Sequence, residues 1–257
     1  VKRCQWFLDD TFVVMSGDAL TDVDLTGLVQ EHKRKGALAT IAVKEVDEVE
    51  QFGVVVSDTG GRITSFQEKP RREEALSNQV NTGIYIFEPE IFEYIPAGQF
   101  YDFGKQVFPH LVKIKAPFYA AVINDYWCDV GSIDTYRQAH ADILQGKVRV
   151  PAAGILKRTD KASVLIGDGA VIEDGVEVVG NVVIGPGCHI GCGVLLDECI
   201  LWDQVQISEK ARLQGCILGT GCQVGSNSQL GEGIVIGAGC QVDPGQCLGQ
   251  ADKIIQV

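Results

Sequence analysis

One apolar residue in every six governs the second half of this chain. From Ile166 the series runs Ile172, Val178, Ile184, Ile190 and Leu196, and resumes one residue early at Leu201, Ile207 and Leu213. After a second slip it continues through Leu218, Val224, Leu230, Ile236 and Val242. Six residues are too few for any helical repeat. They suit one flat side of a triangular coil: a short strand with its apolar residue turned inward, then a corner at the glycine that recurs behind it. At three sides to a coil, the series supplies between four and five coils. No single coil encloses a core, so each must bury its apolar column against the next, and a parallel β-helix is expected.

The same period assigns several of the nine cysteines. Cys188, Cys222 and Cys240 each stand four residues after an apolar anchor, in the column that Ala170 and Val205 occupy in other coils. An inward column of small residues is expected there, and a free cysteine packs as a small hydrophobe. Cys188-x3-Cys192 matches no firm zinc spacing, and its two members hold different repeat positions. The odd cysteine count favours free thiols in a reducing compartment, and a cytoplasmic protein is expected. Gly185-Pro-Gly187 and Gly219-Thr-Gly221 read as repeat punctuation, since neither completes a Gly-x-Gly-x-x-Gly between a strand and a helix.

Before Pro151 the grammar differs, which divides the chain into residues 1–150 and 151–257. Short apolar strands alternate with amphipathic stretches, the pattern of an α/β layer with a largely parallel sheet. Phe12 to Met15 reads as a strand. A helix follows, with Asp24 as its cap, Leu25, Leu28, Val29 and His32 on one face, and Gly36 as its stop. Leu38 to Val43 is the next strand, and residues 52–56 and 62–66 around Asp58-Thr-Gly-Gly61 form a hairpin. Asn81 to Phe87 and Pro117 to Ile123 are further strands, while Ser132 to Leu144 has helical spacing that Gly146 ends. The net charge of −12 argues against tracking a nucleic-acid backbone, and no apolar run approaches the length of a membrane span.

Four segments could carry chemistry. Asp18 follows a buried strand directly, and Asp129 lies between a strand and a helix start. In open α/β sheets ligands collect at the carboxyl ends of strands, and two such acids could share one hard cation. Taken singly, an aspartate there is more often a turn former or a cap. Glu68-Lys69-Pro70 sets an acid beside a base at a strand end, which could meet hydroxyls and a phosphate or could be an edge-strand charge pair. Asn81-Thr-Gly-Ile84 is a polar entry to a buried strand, or a turn. The histidines, His32, His110, His140 and His189, sit in helix-like or repeat positions and read as structural.

Taken together, Val14-Met-Ser-Gly-Asp18, Phe52-Gly-Val-Val-Val56, Phe66-Gln-Glu-Lys-Pro70, Asn81-Thr-Gly-Ile-Tyr85, Tyr101-Asp-Phe-Gly-Lys105 and Trp127-Cys-Asp-Val-Gly131 occur in a telling order. Followed by a hexapeptide-repeat half, the chain resembles the sugar-phosphate nucleotidylyltransferases, and among them the bacterial mannose-1-phosphate guanylyltransferases. The resemblance implies a partial Rossmann-like nucleotidyltransferase domain followed by a β-helix of left-handed sense. It makes Asp18 and Asp129 ligands of Mg²⁺, Glu68 the acceptor for sugar hydroxyls and Lys69 the contact to the sugar phosphate. Asn81 and the backbone of Gly53 would also touch the sugar.

The implied reaction is attack of a sugar 1-phosphate on the α-phosphorus of a nucleoside triphosphate, with GTP and mannose 1-phosphate expected to give GDP-mannose. Glucose-1-phosphate adenylyl- or thymidylyltransfer is the nearest alternative. A non-catalytic subunit of this layout is a further reading, disfavoured because Asp18, Asp129, Glu68 and Lys69 are all present. An acyltransferase is a third, with His189 as the one histidine of the repeat. Family members open with a Gly-rich, Arg-bearing loop that nothing before Phe12 matches, so the chain as given is expected to bind nucleotide poorly and to turn over little. An exposed end coil is a sheet edge that wants a partner, and a homo-oligomer is expected.

Overall fold

The computed structural model describes residues 1–249. The chain forms two compact units, Val1–Gly131 and a second that begins at Ser132.

In the first unit, β1 (Phe12–Met15) and β2 (Ala19–Thr21) precede α1 (Leu25–Arg34). Then come β3 (Ala39–Glu45), β4 (Gly53–Ser57), β5 (Ile63–Glu68), β6 (Gln79–Phe87), α2 (Phe108–Lys113), β7 (Phe118–Val122) and β8 (Trp127–Asp129). Asp24 caps α1 by accepting the Gly27 N–H at 3.0 Å, and Gly36 leaves it at φ +56°. Leu28 and His32 are its buried residues, as the spacing implied. The hairpin is β4 with β5, which pair antiparallel from Gly53 opposite Glu68.

The expected largely parallel sheet is not what forms. The main sheet runs β5-β4-β6-β3-β7, with β1 also on β6, and only β3 with β7 is a parallel pair. β1 and β3 do point the same way, as a strand-helix-strand unit should. However, β6 lies between them, with Phe87 opposite both Phe12 and Ala39, and every pairing of β6 is antiparallel. The twofold alternation of β6 then sorts its side chains. Ile84 and Ile86 pack with Leu28 of α1, while Tyr85 and Phe87 join the aromatic layer of Phe12, Phe92, Phe108 and Phe118 on the other face.

The second unit opens with α3 (Ile133–Gln145), where Ser132 and Thr135 form a reciprocal capping box and Gly146 ends the helix at φ +75°. Ile155–Arg158 then pairs antiparallel with Ala162–Ile166, which covers one of the three sides of the first coil. Behind it every strand pairing is parallel, and the sixfold anchors stack in three columns. One runs Ile166, Ile184, Leu201, Leu218, Ile236. The second runs Ile172, Ile190, Ile207, Val224, Val242. The third runs Val178, Leu196, Leu213, Leu230, Leu248. Leu248 thus completes a fifth coil.

Both sequence slips, Leu196 to Leu201 and Leu213 to Leu218, fall at the corner between the third column and the first. The coils shorten there without disturbing the columns. Cys188, Val205, Cys222 and Cys240 are all buried as one inward column, and Cys199 and Cys216 are buried as well. All of these thiols belong to the apolar core of the stack.

Candidate active site

Asp18, Gly53, Glu68, Lys69, Asn81 and Asp129 all lie in the first unit, and the strand pairing draws them into one neighbourhood. β1 ends at Met15, and the chain turns through Ser16-Gly17-Asp18 into β2, which pairs antiparallel with β8. Ala19 stands opposite Asp129, and the Val130 N–H donates to the Asp18 carbonyl at 2.8 Å. Two carboxylates from distant parts of the sequence are thereby set side by side. Asp129 is held above the usual carboxylate range, first by burial and then by the negative charge of Asp18, with Lys69 pulling it back. A side chain at Gly131 would sit 3.1 Å from Oδ2 of Asp129, so the glycine keeps that carboxylate uncrowded.

Glu68 closes β5 opposite Gly53, and its carboxylate folds back over that glycine. A Cβ on Gly53 would approach Oε2 of Glu68 at 3.4 Å and the Phe66 ring at 2.6 Å; one on Gly104 would approach the same Oε2 at 2.7 Å. Two glycines therefore wall the slot that holds Glu68. Lys69 turns the chain out of the strand at φ +46°, a backbone region costly for a residue with a side chain. It is tied down by its N–H, which donates to the Phe52 carbonyl at 3.1 Å. The Phe52 ring in turn meets Trp127 edge-on at 5.4 Å, and Trp127 leads directly into Asp129.

Asn81 completes the group from β6. Its Oδ1 accepts the Gly83 N–H at 3.0 Å, and its Nδ2 donates to Oη of Tyr85 at 3.0 Å. Trp127 Nε1 donates to the Thr82 carbonyl at 3.0 Å, which joins β8 to β6. Gly83 has φ +75°, and a Cβ there would fall 2.5 Å from Oγ of Ser16, so only glycine lets β6 pass beneath the turn that carries Asp18.

Three participants escaped the sequence reading. Gly104 and Asp102 lie in a motif that was recognised, but their closeness to Glu68 and Tyr85 depends on how the segment folds over β5. Asp102 caps the π-turn Phe103–Val107 by accepting the Lys105 N–H at 2.9 Å. Tyr85 is four residues beyond Asn81 on the same face of one strand, a spacing that was readable as a possible pair. Three of the four histidines make hydrogen bonds to neighbours outside this group of residues. His32 is buried between Thr40 and Glu88, at 2.8 and 3.1 Å, His140 bonds the Tyr136 carbonyl at 2.9 Å, and His189 meets Glu173 at 2.7 Å.

The nucleotidyl transferase family matches residues 1–146, and the EIF2B subunit epsilon LbH domain, a left-handed β-helix family, matches residues 155–248. The chain is 44% identical to a UTP–glucose-1-phosphate uridylyltransferase of Synechocystis sp., over 80% of this chain and 58% of that protein. It is 31% identical to a mannose-1-phosphate guanylyltransferase of Mycobacterium tuberculosis, over 82% and 56% of the two chains. It is 33% identical to a glucose-1-phosphate adenylyltransferase of Desulfitobacterium hafniense, over 86% and 60%. The chain thus spans rather more than half the length of these relatives. No helix among the described residues is long and apolar enough to cross a membrane. Its first unit and its coil stack together place the chain in the sugar-1-phosphate nucleotidyl transferase family, with a hexapeptide β-helix behind the transferase unit.

Proposed function

We propose that this chain takes part in nucleotidyl transfer from a nucleoside triphosphate to a sugar 1-phosphate, releasing pyrophosphate. The observation that carries the reading is that Asp18 directly precedes Ala19, the residue paired with Asp129 across β2 and β8, and that Asp129 feels the charges of both Asp18 and Lys69. A phosphate monoester is already ionised at neutral pH, so no general base is required. An oxygen of the sugar phosphate attacks the α-phosphorus, the bond to the β-phosphate oxygen breaks, and no enzyme-bound intermediate forms. What the protein must do is align two anions and screen their repulsion.

The carboxylate pair fits a hard divalent cation such as Mg²⁺, because two oxygen donors of one sign repel each other until a cation joins them. Bound there, the cation would neutralise phosphate charge. Lys69 would hold the sugar phosphate, and Glu68 in its glycine-walled slot would accept hydrogen bonds from sugar hydroxyls. The backbone of Gly53 and the amide of Asn81 would complete the sugar contacts.

Substrate identity is the finer question. The sequence motifs suggested GTP and mannose 1-phosphate, and the mycobacterial relative has that name. The greater identity to the Synechocystis protein favours UTP and glucose 1-phosphate, and we take that pair as the first to test. Calorimetric titration of glucose 1-phosphate and mannose 1-phosphate into the purified chain with Mg²⁺ should give binding of one of them, weakened about tenfold or more in Lys69→Ala. Titration of UTP and of GTP into the chain with its sugar phosphate and Mg²⁺ then assigns the base by which of the two binds more tightly. Failure of both sugar phosphates to bind would overturn the reading. We further propose a homo-oligomer, because an end coil of such a stack is a sheet edge that favours pairing with a partner.

A further inference from the structure

The hydrogen bonds around Asn81 fix more than its position. A backbone N–H can only donate, so the atom of the Asn81 amide that faces Gly83 N at 3.0 Å must be its oxygen. The amide nitrogen consequently faces Tyr85, 3.0 Å from Oη. That nitrogen carries two hydrogens and has no lone pair to offer, so the phenol oxygen is the acceptor in this pair. One N–H of Asn81 is used on Tyr85. The other has no protein partner among the described residues.

Tyr85 is well placed to hold this arrangement. Its ring packs against Phe87, Phe103 and Phe108 at centroid distances of 5.7, 5.5 and 5.3 Å, which leaves the phenol little freedom. The phenol is pushed above its usual range chiefly by burial; the Asn81 bond opposes this, and the charges of Asp102 and Glu68 add to it.

Resting on the proposed function, we infer that Tyr85 is a positioning residue that holds the Asn81 amide in the sense its bond to the Gly83 N–H dictates. Asn81 thereby offers an N–H to a sugar hydroxyl oxygen and complements Glu68, which accepts from sugar hydroxyls. The bound sugar is then read by one obligatory donor and one obligatory acceptor, and the donor's direction is set by a residue that need not touch the sugar.

The test uses the full chain with Mg²⁺ and whichever of glucose 1-phosphate or mannose 1-phosphate the wild type binds. Tyr85→Phe keeps the ring and removes only the oxygen, and should weaken binding about three- to tenfold, the usual range for one hydrogen bond, at an unchanged melting temperature. Asn81→Asp, which cannot donate, should weaken binding at least as much. The double variant should be no weaker than Asn81→Asp alone, because Tyr85 acts only through the amide. Wild-type affinity in Tyr85→Phe, or additive losses in the double variant, would overturn the inference while the function stands. A loss of affinity accompanied by a lowered melting temperature would also count against it, as a packing defect. No binding of either sugar phosphate by the wild type would remove the function reading itself.

Discussion

The two units solve the problem of a hydrophobic core in opposite ways. In the coil stack each residue's neighbours lie one coil away at a fixed spacing, so local sequence already determines which residues are buried. In the first unit β6 pairs with β1, β3 and β4, and the aromatic layer collects Phe12, Phe87, Phe108 and Phe118 from across the unit. Position in one unit is periodic; in the other it is negotiated between distant segments. The site lies in the second kind of architecture, which alone can bring Asp18 and Asp129 together from far apart in the sequence.

The contrast can be broken most forcefully in the stack. Leu201 is 1% exposed between Ile184 and Leu218 of the neighbouring coils. Leu201→Ala should cost about 2–5 kcal/mol by urea unfolding, since a rigid column cannot collapse around the cavity. Sugar 1-phosphate binding should be unaffected; a matching loss of binding would show that the units are not separable.

Gly83→Ala probes the other architecture. It forces a side chain into the left-handed region and against Ser16, and should destabilise the chain by about 1–3 kcal/mol in thermal unfolding. Here stability and sugar-phosphate binding should fall together, because the strained position is the crossing that supports Asp18. A variant that loses stability but keeps full binding would refute that coupling.

The smallest effect has the opposite sign. Asp129 has a raised pKa in the folded state, so the native protein holds its proton more tightly than the unfolded chain does. Stability is therefore lost as pH rises through that folded value, and the ionised pair is a liability at neutral pH. Asp129→Asn should slightly raise the melting temperature without divalent cation and abolish any rise on adding Mg²⁺. A melting temperature that falls, or still responds to Mg²⁺, would reject the carboxylate pair as the cation site.

The same contrast explains what could be read in advance. The hexad named the three columns, the direction of stacking and the burial of Cys188, Cys222 and Cys240, because each of those facts is local. The cap at Asp24 and the stops at Gly36 and Gly146 were equally legible. The sheet was misjudged as largely parallel because apolar runs such as Phe12 to Met15 carry no information about their neighbours, and the insertion of β6 between β1 and β3 is non-local. Asp18, Glu68, Lys69, Asn81 and Asp129 could be named as candidates from strand-end position and motif order. Tyr85 offered only its spacing from Asn81, and Gly104 offered nothing, since it depends on a close approach to Glu68 that only the folded chain makes.

The stacked thiols have one practical consequence. Cys188 and Cys199 are buried in the second coil and Cys216, Cys222 and Cys240 in the third, fourth and fifth, while Cys4, Cys192 and Cys247 are exposed. An alkylating reagent should therefore label the exposed set at once and reach the buried set only as coils open, in an order that peptide mapping can read. The stack thus contains its own ruler, with which fraying from either end can be timed coil by coil without introducing a probe.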